Sequence, residues 1–407
     1  MKILELFGGI GACSKALERL GIDYEIADYV EIDKYAVKSF NAIHNTNFEP
    51  QDITTWDKDI KVDLIMHGSP CQDFSLAGKQ TGGDKDSGTR SSLMYETIRI
   101  VEKLKPKYVI WENVKNLISK KHKHNFDAYL ETMEQLGYKN YYQVLNAKDY
   151  GIPQNRERVF TISIRKNVNK VFTFPPKQEL KLKLKDMLEE KVDEKYYLSE
   201  DKIKQLVYED IKKIDTSKPQ VLMGIGEKKS NSGTQWYQQD RVYDDNIAIV
   251  VTTSFNPYYA IKNNTKQGYL DAHDGDGVYI NVSTKRRTVQ KDMIQTLTTF
   301  QDKGVVVKDK ICETRYDEGI RTFKNDICGT IRTIDAGGNK VVLNYPPLRI
   351  RKLTPKECWR LMGFDDEDFE KASKVNSNSQ LYKQAGNSIV VNVLEAIFRR
   401  LLLNEDN

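Results

Sequence analysis

The sequence predicts an α/β protein: a doubly wound, mainly parallel sheet with a second, β-rich and loop-rich domain. Three observations predict it. Strand-like and helix-like stretches alternate through the first third of the 407 residues. That alternation stops after about Lys166, and short pieces rich in Gly, Asn, Asp and Thr follow from Val221. Helical patterning then returns at Thr354.

The elements follow in order. Lys2 to Phe7 is an apolar run closed by Gly8 and Gly9, and a helical pattern runs from Ala12 to Leu20 until Gly21 stops it. Glu25 to Val30 reads as a strand and Asp33 to His44 as a helix. Val62 to Met66 is a strand, and Ser91 to Leu104 a helix halted by Pro106. Tyr108 to Trp111 is a strand, Asn125 to Leu136 a helix ended by Gly137, and Val159 to Ile164 a β-branched strand. Residues 177 to 215 are lysine-rich and open with KLKLK. At Thr354 the run T-P-K-E supplies an N-cap, a proline at the first helical position and Glu357 to close a capping box. The last helix, about Ile389 to Leu403, is apolar enough to pack back onto the first domain. The expected division is therefore 1–175 plus 384–407 as one domain and 176–383 as the other.

A chain with 39% hydrophobic and 30% charged residues forms a core and is not disordered. Its net charge of +5 is too small to imply a polyanionic partner by itself, so any such surface must come from local clustering. The cysteine count is odd (Cys13, Cys71, Cys312, Cys328 and Cys358) and no pair has CxxC spacing, which argues against a disulfide framework or zinc site. Neither a signal peptide nor a long uncharged apolar run is evident, so a cytoplasmic protein with reduced thiols is expected. The second region holds a degenerate repeat. RVYDDNIAIVVTT starts at Arg241, RTVQKDMIQTLTT at Arg287 and RTFKNDICGTIRT at Arg321, spanning 241–253, 287–299 and 321–333. Three similar β-ladders in one small domain would account for it.

Several motifs sit at strand ends, where such sheets bind ligands. Phe7-Gly8-Gly9-Ile10-Gly11 is a glycine turn at a helix start, without the GxGxxG spacing. Val30-Glu31 ends the second strand, and Asp52-Ile53 is expected at the next strand end. An acid in such a place suits ribose hydroxyls, so turn, acid and acid together suggest an adenosine-type ligand. Gly68-Ser69-Pro70-Cys71-Gln72 follows the third strand, in a polar loop where a thiolate could act as a nucleophile. Trp111-Glu112-Asn113-Val114 ends the next strand, and its acid would lie beside the cysteine if the two strands are neighbours. Arg156 and Arg158, in Gln154-Asn155-Arg156-Glu157-Arg158, share one side of an extended segment and could bind a carbonyl or phosphate, or pair with surface acids. Lys120 to His124 is a basic cluster that reads either as a solvated helix start or as a phosphate contact.

In order and spacing, FGGIG, GSPCQ, WENV, QNRER, RKLTPKECWRLMGF and QAGNS resemble the DNA (cytosine-5) methyltransferase family, over about residues 1 to 165 and 349 to 403. The resemblance implies an S-adenosylmethionine-dependent, Rossmann-like methyltransferase sheet with a separate target-recognition domain. It assigns S-adenosylmethionine, with no metal, to Phe7, Gly8, Gly9, Ile10, Gly11, Glu31, Ile32, Asp52, Ile53, Pro70, Leu93, Asn387 and Ser388. It makes Cys71 the nucleophile, Glu112 the acid at the cytosine ring, and Arg156 and Arg158 active-site arginines. The loop from Gln72 to Ser92, with Ser75 and Arg90, is expected to close over DNA. The repeats would offer Arg241, Arg287 and Arg321, with Thr299 and Thr333, to a DNA groove. Two departures from the family pattern are Ala12, for a common glycine, and Ile32, where a larger residue often lies beside adenine. The implied partner is double-stranded DNA, with a cognate restriction endonuclease acting separately or none, on a monomeric bacterial or phage enzyme. Two other readings stay open: an RNA cytosine-5 methyltransferase, whose Cys-Phe-Thr is missing here, and a catalytically silent DNA-binding protein on the same fold.

Overall fold

The computed structural model describes residues 1–70, 93–206, 221–224, 241–243, 259–283, 287–308, 312–315, 319–322 and 348–403. The chain forms two compact units. One comprises Met1–Glu189, Gln295–Gln301 and Thr354–Asn407; the other comprises Glu190–Ile294 and Asp302–Leu353.

The first unit is built on a six-stranded sheet. Its strands are β1 (Lys2–Leu6), β2 (Glu25–Val30), β3 (Leu64–His67), β4 (Tyr108–Val114), β5 (Tyr138–Asn146) and, after a two-residue strand β6 (Gln154–Asn155), β7 (Glu157–Arg165). Their order is β2-β1-β3-β4-β7-β5, with β2, β1, β3 and β4 mutually parallel and β7 antiparallel to both neighbours. The central strands carry apolar residues on both faces: every residue of β3 is buried, and Ile3, Leu4 and Leu6 of β1 are within 1% of full burial. Helices α1 (Ala12–Arg19), α2 (Lys34–His44), α3 (Met94–Leu104) and α4 (Lys123–Gln135) connect them. Asp33, expected inside α2, is its N-cap: its carboxylate accepts from the Tyr35 N–H. The expected strand from Tyr108 continues through the WENV motif, because β4 pairs with β7 as far as Val114. The sequence reading has no counterpart of β5. That strand is the sheet edge, and its tyrosines, lysine and glutamine leave it without a clean apolar face.

The chain rejoins the first unit at Thr354, not at 384, and does so earlier through Gln295–Gln301. The reason is packing of α6 (Pro355–Arg360), α7 (Asp366–Ser373), α8 (Asn378–Asn387) and α9 (Val391–Phe398). The expected capping box is present: Thr354 Oγ1 accepts from Glu357 N–H at 3.2 Å, and Thr354 N–H donates to Glu357 Oε2 at 2.8 Å. Trp359 is fully buried and donates to the Leu381 carbonyl. Lys15 of α1, nearly buried, pairs with Asp365 at 2.9 Å and Asp368 at 3.0 Å, and Arg19 pairs with Asp365 and Glu395. Burial alone would lower the Lys15 pKa, but its bonds to Asp365 and Asp368 overcome that and raise it. Ser39 Oγ donates to Gln384 on α8 at 2.9 Å.

The second unit contains α5 (Glu200–Leu206) and a four-stranded antiparallel sheet in the order Val289–Gln290, Gly277–Tyr279, Lys303–Lys308, Leu348–Lys352. Its core gathers Leu198, Leu206, Ile261, Val278, Val306 and Ile350. Of the repeat, only the copy at 287–299 lies within the described residues; 244–253 and 323–333 fall outside. Among the described residues no helix is long and apolar enough to cross a membrane.

Two predictions follow from the ion pairs of α7 and its N-cap. Lys15→Met leaves Asp368, 3% exposed, without its cation. It is expected to lower the unfolding free energy in urea by about 3 kcal/mol, whereas a change below about 1 kcal/mol would show that water replaces the cation. The Asp366 carboxyl beside Arg360 is held down at about 2, and Asp365 also lies below its ordinary value. A depressed carboxyl stabilises above its unfolded value and loses that contribution as pH falls through its folded one. Acid unfolding between about pH 4 and 2 should therefore be shallower in Asp366→Asn than in the parent.

Candidate active site

The parallel strands β2, β1 and β3 stop level with one another, and β4 runs on beyond them to Val114. Leu6 of β1 lies opposite His67 of β3, and His67 opposite Trp111 of β4. The chain turns from β1 to β2 on one side and to β3 on the other, so the switch point of the sheet falls between β1 and β3. There the glycine turn departs from ordinary backbone: Phe7 has φ 52° and Gly11 φ 82°. A non-glycine residue at such φ costs free energy that the surroundings must supply. A Cβ on Gly8 would meet the Tyr29 ring at 2.6 Å, so only glycine lets the turn pass that ring. Tyr29 in turn donates to the Gly9 carbonyl at 2.6 Å. Glu31 is fixed at the end of β2, where its carboxylate accepts from Gly9 N–H at 3.2 Å and Asp33 N–H at 2.8 Å. Burial raises the Glu31 pKa although these donors oppose it. Ile10 is buried beneath the turn, and Ile32, beside Glu31, is 69% exposed.

These residues fit an adenosine-type ligand. A carboxylate preset by two backbone donors faces a glycine turn, with an apolar side chain beside it still open to solvent. Leu93 caps α3 and packs on the core beneath. Asn387, the last residue of α8, is exposed, and the next residue, Ser388, is buried. Asp52 and Ile53 differ from the expected strand end. No strand ends there; Asp52 lies in a turn, where its carboxylate accepts from the Thr54 N–H and hydroxyl. Ile53 is a core residue. The apolar Ile53 between polar neighbours resembles a strand end, but here it anchors a loop.

The next turn along the crevice is Gly68-Ser69-Pro70. Trp111 donates to Ser69 Oγ at 2.9 Å, and Asn113 to the Ser69 carbonyl at 3.2 Å. Two residues of the WENV motif therefore pin the backbone that leads to Cys71, and the residue between them, Glu112, points the other way. A Cβ on Gly68 would lie 3.7 Å from Glu112 Oε2, so the carboxyl is level with this turn, as expected for neighbouring strands. Cys71 itself, with Gln72, Ser75 and Arg90, lies outside the described residues. Behind the turn, His67 stacks on Trp111 and meets the Tyr129 hydroxyl; burial pushes its pKa down to about 3, so this floor carries no charge.

Glu112 lines a cavity with Arg156, Arg158, Phe160, Ile389 and Val390. Its Oε1 is 3.0 Å from Arg158 Nε. Burial raises the Glu112 pKa above its ordinary value, and the nearby Arg158 and Arg156 guanidiniums pull it down without cancelling that rise. The two arginines are not equivalent. Arg158 faces the carboxyl. Arg156 is buried and donates to three backbone carbonyls: Leu297 at 3.1 Å, Gly386 at 3.2 Å and Ser388 at 2.8 Å. The sequence reading missed Ser69, the flanking roles of Trp111 and Asn113, and Gln154, which is fully buried. The alternation W-E-N carried the signal for the first three.

In the second unit, Arg287 does not offer its charge to a groove. It is 7% exposed and donates to the carbonyls of Lys262 and Val282. Arg241 and Arg321 lie on strands Arg241–Tyr243 and Gly319–Thr322, and Thr333 is outside the described residues. Thr299, in the first unit, is exposed. Lys123 opens α4 and pairs with Asp127 one turn on, while His122 is buried.

A family profile described as C-5 cytosine-specific DNA methylase matches residues 1–403. The chain belongs to that family. It is a DNA cytosine-5 methyltransferase, with relatives in phages and bacteria. An orphan methyltransferase, M.Rho11sI of Bacillus phage rho11s, is 35% identical over 100% of this chain and 99% of its own. Another, M.SPRI of Bacillus phage SPR, is 36% identical over 99% and 97%. The type II methyltransferase M2.ScrFI of Lactococcus lactis subsp. cremoris is 32% identical over the full length of both chains. Among solved structures, a DNMT2 variant from Spodoptera frugiperda superposes with TM-score 0.55 at 20% identity, covering 98% of this chain and 99% of that one. The Entamoeba histolytica methyltransferase EhMeth gives 0.57 at 15% identity, over 99% and 98%. These two likenesses are ones of fold.

In the methylase, Glu112→Gln keeps the shape and hydrogen-bonding reach of the side chain while removing its proton chemistry. It should reduce the single-turnover methylation rate by about two to four orders of magnitude. Its thermal midpoint should stay within a few degrees of the parent, since a carboxyl that burial has raised contributes no net stability at neutral pH. A parent-like rate would remove Glu112 from the chemistry.

Proposed function

We propose that the methylase takes its methyl group from S-adenosylmethionine and delivers it to carbon 5 of a cytosine swung out of double-stranded DNA, with Cys71 as nucleophile. The observation that carries this reading is the buried Glu112 carboxyl. It is one strand from the turn leading into Cys71 and is held at 3.0 Å by Arg158.

The glycine turn with Glu31, Ile32 and the exposed Asn387 would hold the cofactor, helped by Asp52, Pro70 and Ser388; when bound, it supplies an electrophilic methyl group. The chain's own residues do the rest. Carbon 5 of cytosine is a poor nucleophile and is stacked inside the duplex, so the base must leave the stack at a cost of a few kcal/mol. Cys71 as thiolate forms a bond to carbon 6; the 5,6 π pair shifts between carbons 4 and 5, and the 3,4 π pair moves onto N3. Glu112, whose carboxyl burial keeps ready to carry a proton, hydrogen-bonds or protonates N3 and so offsets the charge arriving there. Arg158, beside it, reaches the base oxygen O2. The electron-rich carbon 5 then takes the methyl group, whose bond to the sulfonium sulfur breaks with its electron pair left on that sulfur. Loss of the carbon-5 proton to water or hydroxide restores the double bond as the Cys71 sulfur departs.

The loop with Gln72, Ser75 and Arg90 would approach the DNA. Arg241 and Arg321, with Thr299 and Thr333, remain candidates for the recognition surface. The relatives include both orphan phage enzymes and a type II enzyme. The methylase accordingly modifies DNA at a defined sequence either alone or alongside a separately acting restriction endonuclease.

Base-resolution mapping of 5-methylcytosine in unmethylated DNA incubated with protein and S-adenosylmethionine is expected to show methylation in a defined sequence context. Cys71→Ala should abolish it while retaining DNA binding. A duplex containing 5-fluorocytosine at the target should trap the parent protein covalently and leave Cys71→Ala free, because the fluorine at carbon 5 cannot leave as a proton does. Residual transfer by Cys71→Ala, or no trapped complex, would overturn the nucleophile assignment.

A further inference from the structure

The segment Gln295–Gln301 belongs to the first unit although the chain on both sides of it belongs to the second. Its attachment is specific to one residue. Leu297 is gripped at both ends of its backbone: its N–H donates to Gln154 Oε1 at 3.2 Å, and its carbonyl accepts from Arg156 at 3.1 Å. Gln154 is itself fixed, donating to the Leu361 carbonyl at 2.8 Å. Thr296 Oγ1 donates to the Asn155 carbonyl at 2.9 Å. From the other side Gly386 closes in so tightly that a Cβ there would meet the Thr298 carbonyl oxygen at 2.5 Å. The strap thus has one register, and a slip of one residue would break both bonds to Leu297. Immediately beyond this grip the chain turns outward. Thr299 is exposed, and Phe300 is 76% exposed, the most exposed of the large hydrophobic side chains described.

A large aromatic ring in water beside a buried, tightly registered anchor is a poor arrangement for stability and a good one for stacking on nucleobases, whose faces become available when a neighbouring base leaves the stack. Arg156 lines the same cavity as Glu112, so the anchor of the strap is part of the reactive pocket. We infer that Gln154 and Arg156 are positioning residues that set the register of the strap, and that Phe300 is thereby presented as a stacking contact for the bases flanking the target cytosine. This rests on the reading that a DNA cytosine reaches Glu112. It gives Arg156 a duty different from that of Arg158: one holds the platform and the other faces the reacting base.

The test is a double-mutant cycle of Gln154→Leu and Phe300→Ala, with kcat and KM measured on a duplex carrying the target mapped for the parent and on duplexes altered at one flanking base. Phe300→Ala touches no core residue. It is expected to raise the DNA KM about tenfold and to flatten the preference among flanking bases, with S-adenosylmethionine affinity by calorimetry unchanged. Gln154→Leu should do the same, and the double variant should be no worse than the more impaired single one, because Gln154 acts through the ring. A merely structural role for Gln154 would lower the active fraction, leave the flanking-base preference intact and add to the effect of Phe300→Ala. That outcome, or a parent-like KM in Phe300→Ala, overturns the inference. If Gln154→Leu does not fold, Thr296→Val, which removes only the bond to Asn155, takes its place in the cycle with the same expectation. A parent protein that methylates no duplex DNA would instead overturn the underlying function.

Discussion

The shared register of β1, β3 and β4 is the constraint on which the site depends. Parallel pairing places Leu6, His67 and Trp111 in one line across the sheet, so the turns after β1 and β3 emerge together, level with Glu112 on β4. The glycine turn, the Ser-Pro turn and Glu112 come from residues about 60 and 45 positions apart in sequence, yet no loop has to bring them together. What the local sequence adds is trim. Phe7 accepts a left-handed backbone, Gly8 passes under Tyr29, and Trp111 and Asn113 hold Ser69 from the neighbouring strand.

Much of this was legible in the sequence for the same reason. The glycine turn, the capping box at Thr354 and the alternation in Trp111-Glu112-Asn113 are local signals, each read within a few residues. β5 was not legible because an edge strand need not hide one clean face. Asp52 misled because a buried Ile53 next to polar residues looks the same in a loop as at a strand end. Arg287 misled because an arginine next to Thr-rich sequence gives no sign of whether its guanidinium meets solvent or the carbonyls of Lys262 and Val282. The strap through Leu297 was out of reach for a different reason. Its partners are 143 and 141 residues away, and a backbone N–H or carbonyl looks alike at every position of a sequence.

The charges of the first unit divide into two kinds. Those near the pocket are costly to hold. Burial raises the Glu112 and Glu31 pKa values, and Glu5, buried under the glycine turn with Ser14 as its donor, is pushed up to about 7. Those on the far side of α1 are stabilising, with Lys15 and Arg19 set among Asp365, Asp368 and Glu395. The unit carries strained electrostatics around the crevice and offsets part of that cost in the clasp between α1 and α7.

The return of α7 to α1 also has a consequence in time. A ribosome releases Lys15 some 350 residues before Asp365 and Asp368, and Gly386 and Ser388, the carbonyl partners of Arg156, come later still. For most of its synthesis the growing chain therefore displays a sheet whose outer helix has Lys15 beside Glu18 but without its two aspartates, and whose crevice lacks one wall. The second unit can fold during that interval, while the first must wait for its own ending. Contacts of such long sequence separation form slowly. An unfinished polypeptide therefore has the glycine turn and Glu31 but not the carbonyls that hold Arg156, and the cavity around Glu112 is complete only when the last helices have docked.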